Sequence, residues 1–285
     1  MGEVTVSTAD RRGPVEEWIE TWRHRELMAH MLRRELRTQY NRSLLGWAWS
    51  LINPLTTLLI YSVVFGIILS GNDVVPRGAA GIQSFPLFLF SALVAWNVYS
   101  TVSTEVMQSF AGSLQLRNRI YFPAGCQVLV SAVSALIVLT VEVAVLAVAF
   151  LVATPAHFAL LGLVPVVVLA ALLGLGVGLM LSVPNVRYRD VGYLYGVFLR
   201  FFFFLTPIIY PMSILEGKEV AGLRLDAAIR LNPLTHYVDA IRRVTYVHEW
   251  PPAKLWAIML TMSLAAVVVG WSAFTKYAPD ATEGR

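Results

Sequence analysis

The chain has 285 residues, of which 57% are hydrophobic and only 14% are charged. Soluble domains carry about 25% charged residues, so a soluble fold of this length would lack the polar surface to cover itself. The single cysteine excludes an internal disulfide, and no group of cysteines and histidines has the spacing of a zinc site. The composition therefore indicates an integral membrane protein and gives no indication of a metal centre.

The first 43 residues are densely charged, so we expect no cleavable signal peptide. Apolar residues recur at helical spacing, Trp18 and Trp22 among them, while Arg33, Arg34 and Arg37 lie elsewhere on the helical wheel. An arginine-rich amphipathic helix that leads into a membrane span is typical of a helix in the cytoplasmic interface. A solvated helix that packs on a partner protein is a compatible alternative.

Charge-poor stretches of about 20 residues are long enough to cross the hydrocarbon of a bilayer. Such stretches predict six membrane spans, at residues 45–69, 85–103, 124–153, 158–183, 191–210 and 255–275. The fold class is then an all-α integral membrane protein, with a cytoplasmic segment 1–43, a membrane domain 44–276 and a short cytoplasmic tail 277–285. Placing both termini inside puts 14 basic residues on the cytoplasmic side and seven outside, in agreement with the positive-inside rule.

Two ionisable residues, Glu142 and Arg200, fall near the middle of predicted spans. A charge at that depth costs about 3 kcal/mol, so each should face a bundle interior, a partner or water. They either line a substrate path or form a structural ion pair. Alternatively, Glu142 lies at a shallower depth and Arg200 belongs to a span that begins late.

Four consecutive aromatic residues, Phe201, Phe202, Phe203 and Phe204, occupy the fifth predicted span. Side chains in such a run point all around a helix, so at most two of them can line a cavity. Tryptophans near span ends, Trp96 among them, are assigned to the aromatic belts of the membrane interface.

The glycines of the fourth predicted span do not form a nucleotide-binding motif, because no strand precedes them. Gly174 and Gly178 have the spacing that allows two helices to approach closely. Gly217 and Lys218 lack the earlier glycine of a P-loop. The chain therefore has no P-loop of its own.

Two loops contain amphipathic segments. Residues 114–122 predict a short helix parallel to the membrane, which Pro123 ends. Between the fifth and sixth spans, prolines divide residues 211–254 into pieces that predict two short re-entrant helices in the outer leaflet. An apolar stripe runs along the second of these, with Asp239, Arg242 and Arg243 largely off it; its members are Leu234, Tyr237, Val238, Ile241 and Val244.

Several motifs in order resemble the permeases of type 2 ABC exporters for bacterial polysaccharides, which export O-antigen, teichoic acid or lipid-linked galactan. The longest is the stretch 34–54, which includes RTQYNRSLLGWAWSLINP. The later motifs are NRIYFP at 118–123, RYRDV at 187–191, FFLTPIIYP at 203–211 and NPLTHY at 232–237.

The resemblance implies that two copies of this chain work with two copies of an ABC ATPase, which would bind ATP and Mg, so that the chain itself would carry no cofactor. It implies a glycan path formed chiefly by spans one and five, near Asn53, Tyr61, Arg200 and Phe201 to Phe204. It also implies a coupling helix that docks on the ATPase, with Leu114, Arg117, Asn118, Arg119, Tyr121 and Phe122. We therefore expect a multi-pass permease in the bacterial inner membrane, with both termini in the cytoplasm.

The partners expected are the ATPase, a second permease, a lipid-linked polysaccharide and the bilayer. Nucleic acid is not expected, because basic residues of the cytoplasmic segment alternate with acidic ones. Two alternatives remain at this point. One is an ABC exporter of a small drug or lipid, and the other is a membrane enzyme that uses His236 and Asp239 on a lipid-linked sugar.

Overall fold

The structure is a computed structural model of one chain, and it describes residues 13–39, 46, 48–64, 75–117, 122–188, 190–215, 217–220 and 223–283. Within these ranges the chain is almost wholly helical. The α-helices are α1 (Pro14–Arg23), α2 (Arg25–Gln39), α3 (Ala48–Tyr61), α4 (Phe85–Arg117), α5 (Ala124–Ala153), α6 (Leu163–Arg187), α7 (Asp190–Leu205), α8 (Leu225–Arg230), α9 (Pro233–Arg242) and α10 (Ala253–Glu283). A short antiparallel hairpin, β1 (Glu219–Val220) and β2 (Leu223–Arg224), precedes α8.

Four helical segments of the described chain are long and apolar enough to cross a membrane. They are Phe85–Ser113, Ala124–Ala153, Phe158–Arg187 and Ala253–Pro279. These segments agree with the second, third, fourth and sixth predicted spans, although α4 continues well beyond the predicted end at residue 103. The protein is thus a multi-pass membrane protein.

The first and fifth predicted spans are shorter in the described chain. The apolar helical segment Ala48–Val64 covers part of the first, whose residues 65–69 lie outside the described ranges. The fifth corresponds to α7, which has 16 residues. A helix of that length rises about 24 Å, somewhat less than the hydrocarbon thickness of a bilayer.

Helix α4 lies at the centre of the bundle and packs against α5, α6 and α9. Glycines of α6 make the closest of these contacts possible. A Cβ on Gly174 would lie 2.8 Å from the Tyr99 carbonyl oxygen, and one on Gly178 would lie 2.7 Å from that of Ser103. The prediction that Gly174 and Gly178 serve close helix packing is therefore confirmed.

The described part of the N-terminal segment forms two helices, α1 and α2, that dock on the bundle. The Trp271 indole nitrogen of α10 donates a hydrogen bond to the Pro14 carbonyl (2.8 Å), and Trp18 packs edge-on against Trp271 at 5.4 Å between ring centroids. Gly125, near the start of α5, leaves room for the buried Thr21, since a Cβ there would lie 2.5 Å from the Thr21 hydroxyl oxygen. Helix α1 is thereby held between one end of α5 and α10.

The region between α7 and α10 contains two short helices, α8 and α9, as the prolines predicted. Asn232 caps α9 by accepting a hydrogen bond from the Leu234 amide (2.9 Å), and Pro233 occupies the first helical position. The predicted apolar stripe of α9 is confirmed, because all five of its members are buried.

The placement of Arg242 outside this stripe was wrong. Arg242 is buried, and its guanidinium donates to the carbonyls of Pro207 and Ile208, both at 2.7 Å. It also lies 3.5 Å from the centre of the Phe88 ring. Helix α7 ends just before these two carbonyls, so they have no hydrogen-bond donor within the helix. The buried guanidinium of Arg242 supplies the missing donors.

Candidate translocation surface

A row of polar residues runs along α4, the helix at the centre of the bundle. This polar stripe consists of Asn97, Ser100, Thr101, Thr104 and Glu105, whose spacing of three and four residues places them on one helical face. Each is at least partly accessible, whereas the neighbouring Val98, Val102 and Val106 are buried. Polar groups on a membrane-spanning helix face water or protein instead of lipid, so the stripe marks a hydrated or partnered surface.

One side of the polar stripe borders a cleft of about 470 Å³, which we call the polar cleft. Helices α2, α3, α4 and α5 form its walls, and three carboxylates line it, those of Glu35, Glu105 and Glu142. Hydroxyl and amide groups complete the polar part of the lining; they belong to Thr38, Gln39, Ser50, Asn53, Thr101, Ser131 and Ser134. The cleft therefore offers many hydrogen-bond acceptors and donors close together.

The other side of the polar stripe borders an open groove of about 540 Å³ between α4 and α7, which we call the aromatic groove. Trp96, Phe203 and Phe204 supply aromatic rings, and Arg200 supplies a cation. The rings of Trp96 and Phe203 pack edge to face with centroids 5.3 Å apart. Thr101 and Glu105 line both the polar cleft and the aromatic groove, so the two are continuous across α4.

Buried hydrogen bonds hold α7 in place beside the aromatic groove. The Tyr195 hydroxyl donates to the Ser103 hydroxyl at 2.7 Å, and Tyr195 itself is buried. Phe202 packs between neighbouring rings, with centroids 6.2 Å from Trp96 and 4.9 Å from Phe198. These contacts fix the rotation of α7, and with it the side on which Arg200 faces the groove.

The structure brings together some of the predicted path residues and separates others. Asn53 lines the polar cleft, and Arg200, Phe203 and Phe204 line the aromatic groove. Tyr61 packs against the core and lines neither. Of the four consecutive phenylalanines, two line the groove, as expected for side chains that point all around a helix.

Glu142 is held by a side chain of the central helix. The Asn97 amide of α4 donates a hydrogen bond of 2.7 Å to the Glu142 carboxylate. Of the alternatives for this residue, the structure supports contact with the bundle interior, since Glu142 also lines the polar cleft. An ion pair between Glu142 and Arg200 is not formed, because the two lie on different sides of α4.

Sequence reasoning missed the polar stripe itself. Trp96 was assigned to an interface belt and Glu105 was assigned to no site, yet both line the aromatic groove. The recurrence of polar residues at helical spacing from Asn97 to Glu105 was present in the sequence and could have identified the face.

Most of the predicted coupling residues lie at or beyond the end of α4. Leu114 and Arg117 belong to its last turn, and Phe122 is buried just before α5. Asn118, Arg119 and Tyr121 lie outside the described residues. The helix predicted over 114–122 therefore begins, in the described part, as a continuation of α4.

The residues predicted for the membrane interface lie on α1 and α2. Trp22 is exposed on α1, next to the partly exposed Trp18. On α2, the residues Arg33, Arg34 and Arg37 border a groove of about 460 Å³ together with His30 and Thr38, which we call the basic groove. Helix α2 is held to α5 by Glu35, whose carboxylate accepts hydrogen bonds from Ser131 (3.3 Å) and Gln127 (3.5 Å).

Burial raises the pKa of the Glu35 carboxyl above its ordinary value, and the charge of Glu105 acts in the same direction. The hydrogen bonds from Ser131 and Gln127 oppose this shift without cancelling it. The carboxyl that links α2 to α5 is thus a group whose charge is costly in the folded protein.

The aspartate considered for catalysis has a structural partner, and the histidine is half-buried. Asp239 forms an ion pair with Arg243 at 3.1 Å, one turn along α9. Burial lowers the pKa of the His236 ring below its ordinary value. In the part of the chain that the structure describes, no group of three or more His, Cys, Asp or Glu residues could hold a metal ion.

The fold and this surface define a helical multi-pass membrane protein with a polar and aromatic face and a docked N-terminal helix pair. A family model described as ABC-2 type transporter matches residues 26–246. The chain belongs to this family. Helix α1 precedes the matched region, which begins at the second residue of α2.

Curated relatives match most of the chain. The chain is 27% identical over 258 residues to the O-antigen export system permease protein RfbA of Myxococcus xanthus, covering 89% of this chain and 92% of that protein. A protein of the same name from Klebsiella pneumoniae is 23% identical over 259 residues, with coverage of 88% and 92%. The polysialic acid transport protein KpsM of Escherichia coli is 24% identical over 223 residues, with coverage of 76% and 81%.

Proposed function

We propose that this chain is the permease subunit of an ATP-driven exporter that moves a lipid-linked polysaccharide from the cytoplasm across the inner membrane. One observation carries the proposal: the polar cleft and the aromatic groove join along the polar stripe of α4. The names of the relatives, which concern O-antigen export and polysialic acid transport, support the same class of cargo.

The chemistry of this surface suits a long sugar polymer. Aromatic rings such as Phe203 and Phe204 can stack on the apolar faces of sugar rings without selecting one register of the chain. Hydroxyl and carboxylate groups along the polar stripe can exchange hydrogen bonds with successive sugar hydroxyls. A small apolar drug would leave these polar groups without partners, which makes the polysaccharide the better candidate.

The proposed topology has six spans, with α3 as the first and α7 as the fifth. Residues 1–43 and 277–285 would be cytoplasmic, and α8 and α9 would form the re-entrant pair on the outer side. The positive-inside bias of the sequence supports this orientation. Helix α1 docks beside the start of α5 and on α10. This contact agrees with a topology in which all three lie at the same membrane surface.

We further propose that two copies of this chain assemble with two copies of an ABC ATPase, which binds ATP and Mg and hydrolyses ATP. The segment 114–122 would contact the ATPase. Closure of the ATPase on ATP would then change which conformation of the membrane spans is more populated. This chain would supply the path and bind the glycan, and it would carry no cofactor or catalytic residue of its own.

A deletion strain tests the proposed function. Loss of this gene should leave the polysaccharide inside the cell, and expression of the intact chain should restore it to the surface. The double variant Arg117→Glu and Arg119→Glu reverses two charges in the proposed coupling segment, so it should leave ATP hydrolysis but reduce export. Normal surface polysaccharide in the deletion strain would refute the function, and normal export by the double variant would refute the coupling segment.

A further inference from the structure

The basic groove of α2 concentrates positive charge, and no carboxylate of the described residues pairs with its arginines. His30, Arg33, Arg34 and Arg37 are all exposed, and their spacing places them along one face of the helix. Within the described ranges, no Asp or Glu lies at ion-pair distance from any of these three arginines. A row of free guanidinium groups is a site for an anion with several oxygens, because each guanidinium can donate two parallel hydrogen bonds.

The carboxylate that would most readily compensate this charge points elsewhere. Glu35 adjoins Arg34 in sequence, but its side chain is half-buried and held by Ser131 and Gln127 of α5. The apolar residues Met31 and Leu32 of α2 are likewise half-buried. The helix therefore uses one face to dock on the bundle and leaves its arginines on the other.

The neighbouring helix α1 indicates the depth at which this groove lies. Val15, Ile19 and Trp22 form an exposed apolar face on α1, in a helix that also carries charged residues. Such a helix buries its apolar face at the boundary between headgroups and acyl chains. The basic groove, which follows directly along the chain, then lies at the level of lipid phosphates.

The basic groove is also continuous with the polar cleft. Thr38 lines both, and the polar cleft in turn shares Thr101 and Glu105 with the aromatic groove. A substrate that moved along this surface would meet cations first, then hydroxyls, amides and carboxylates, and then aromatic rings. A lipid-linked glycan presents matching groups in the same order, namely phosphate and then sugars.

We propose that the basic groove is the entry site for the phosphate of the lipid carrier, and that it directs the first sugars of the glycan into the polar cleft. This inference rests on the proposed function. The positive charges on one side of α2 and the acidic groups on its other side would separate the phosphate of the substrate from its sugars. Glu105 in the polar cleft repels a phosphate, while a neutral sugar can exchange hydrogen bonds with Glu35, Glu105 and Glu142.

Equilibrium binding of farnesyl pyrophosphate tests this assignment. The full-length permease in phosphatidylcholine nanodiscs should bind farnesyl pyrophosphate, and farnesol, which lacks the phosphates, should not compete. The double variant Arg33→Gln and Arg37→Gln should weaken binding by about 30-fold, since each arginine near a phosphate surface contributes about fivefold.

The matched control is the double variant Arg23→Gln and Arg25→Gln. It removes the same charge from exposed positions of the same segment outside the basic groove, so its affinity should stay within about twofold of the wild type. Equal losses in both double variants, or no loss in the first, would overturn the groove as a specific site. Competition by dihexanoyl phosphatidylglycerol as strong as that of farnesyl pyrophosphate would identify a general phospholipid site and overturn the carrier assignment.

Export assays separate this inference from the proposed function. If only the groove is wrong, deletion of the gene abolishes export while the variant Arg33→Gln and Arg37→Gln exports normally. If the proposed function is wrong, deletion leaves the surface polysaccharide unchanged, whatever the binding measurements give.

Discussion

Helices α4 and α5 are both long enough to cross a membrane, but they use their side chains in opposite ways. In the most apolar 18-residue stretch of α5, within Ala124–Ala153, 22% of the residues are buried within the chain, whereas 78% are buried in the corresponding stretch of the less apolar Phe85–Ser113 of α4. A helix that faces lipid must be apolar over most of its surface, while a central helix can carry polar groups because neighbouring helices supply partners. In this protein the span with the weaker hydropathy is the one that carries the candidate function.

The single carboxylate of α5 illustrates the same contrast. Glu142 does not face outward but accepts a hydrogen bond from Asn97 of α4. The exposed Thr140, two residues earlier, satisfies its hydroxyl with the Ile137 carbonyl of its own helix. Polar groups of α5 are thus turned toward α4 or α2 or are internally satisfied, as a helix with a lipid-facing side requires.

The largest effect should come from filling the close contact between α4 and α6. Gly178→Leu would place a side chain where a Cβ already lies 2.7 Å from the Ser103 carbonyl oxygen and from the Val106 Cβ. Overpacking of this kind costs about 1–3 kcal/mol or more, so we expect a large fall in the Tm of the detergent-solubilised permease. Gly196→Leu is the control, because no atom lies within 4 Å of a Cβ at that position of α7. Similar Tm values for the two variants would contradict the packing of α4 at the centre.

A smaller effect is expected from the polar contact between α4 and α5. Asn97→Leu removes the donor to Glu142 and should cost about 1–3 kcal/mol, because a partly buried acceptor loses its partner. The second change Glu142→Leu should restore part of the lost stability, since it removes the unpartnered group. Thr140→Leu, on the exposed side of α5, should change the Tm little. Additive losses for the pair in thermal unfolding would show that the two residues do not interact.

The smallest effect concerns the contact of α5 with α2. Because the pKa of Glu35 is raised in the folded protein, its stabilising effect is complete at low pH and is lost as pH rises through that raised pKa. The wild type should therefore gain stability when pH falls from about 7 to 5, relative to Glu35→Gln, which cannot titrate. The exposed Glu26→Gln on the same helix serves as the control. Equal pH dependence of Tm in wild type and Glu35→Gln would contradict the buried contact.

Apolar periodicity predicted much of the fold. Four spans and the buried stripe of α9 follow from hydrophobic patterns, which report how a segment meets a nonpolar environment. Arg242 escaped this reasoning, because its burial depends on the carbonyls of Pro207 and Ile208, which lie about 35 residues earlier in the chain. Hydrogen bonds between distant segments leave no periodic pattern in the sequence.

The candidate site was predicted in part. Asn53, Arg200 and two of the four consecutive phenylalanines do line the surface, but Tyr61 does not. The predicted residues lie on α3 and α7, whereas the structure shows that α4 joins the two sides. The position of α4 between the two sides depends on tertiary packing. The pattern of charges along a single sequence does not predict it.

Aqueous accessibility along α4 and α5 tests the central contrast most directly. Cys126 is the single cysteine, and it is buried, so Cys126→Ser provides a background for new thiols. In this background, Ser100→Cys and Thr104→Cys place a thiol in the polar stripe, while Val133→Cys and Val148→Cys place one on the exposed face of α5. Only a thiol in contact with water forms the reactive thiolate.

A membrane-impermeant, water-soluble thiol reagent applied to open membrane fragments should label the two positions of α4 and leave the two of α5 unlabelled. Labelling of α5 with protection of α4 would contradict the account, because the polar stripe would then be buried against another helix and could not form a hydrated path.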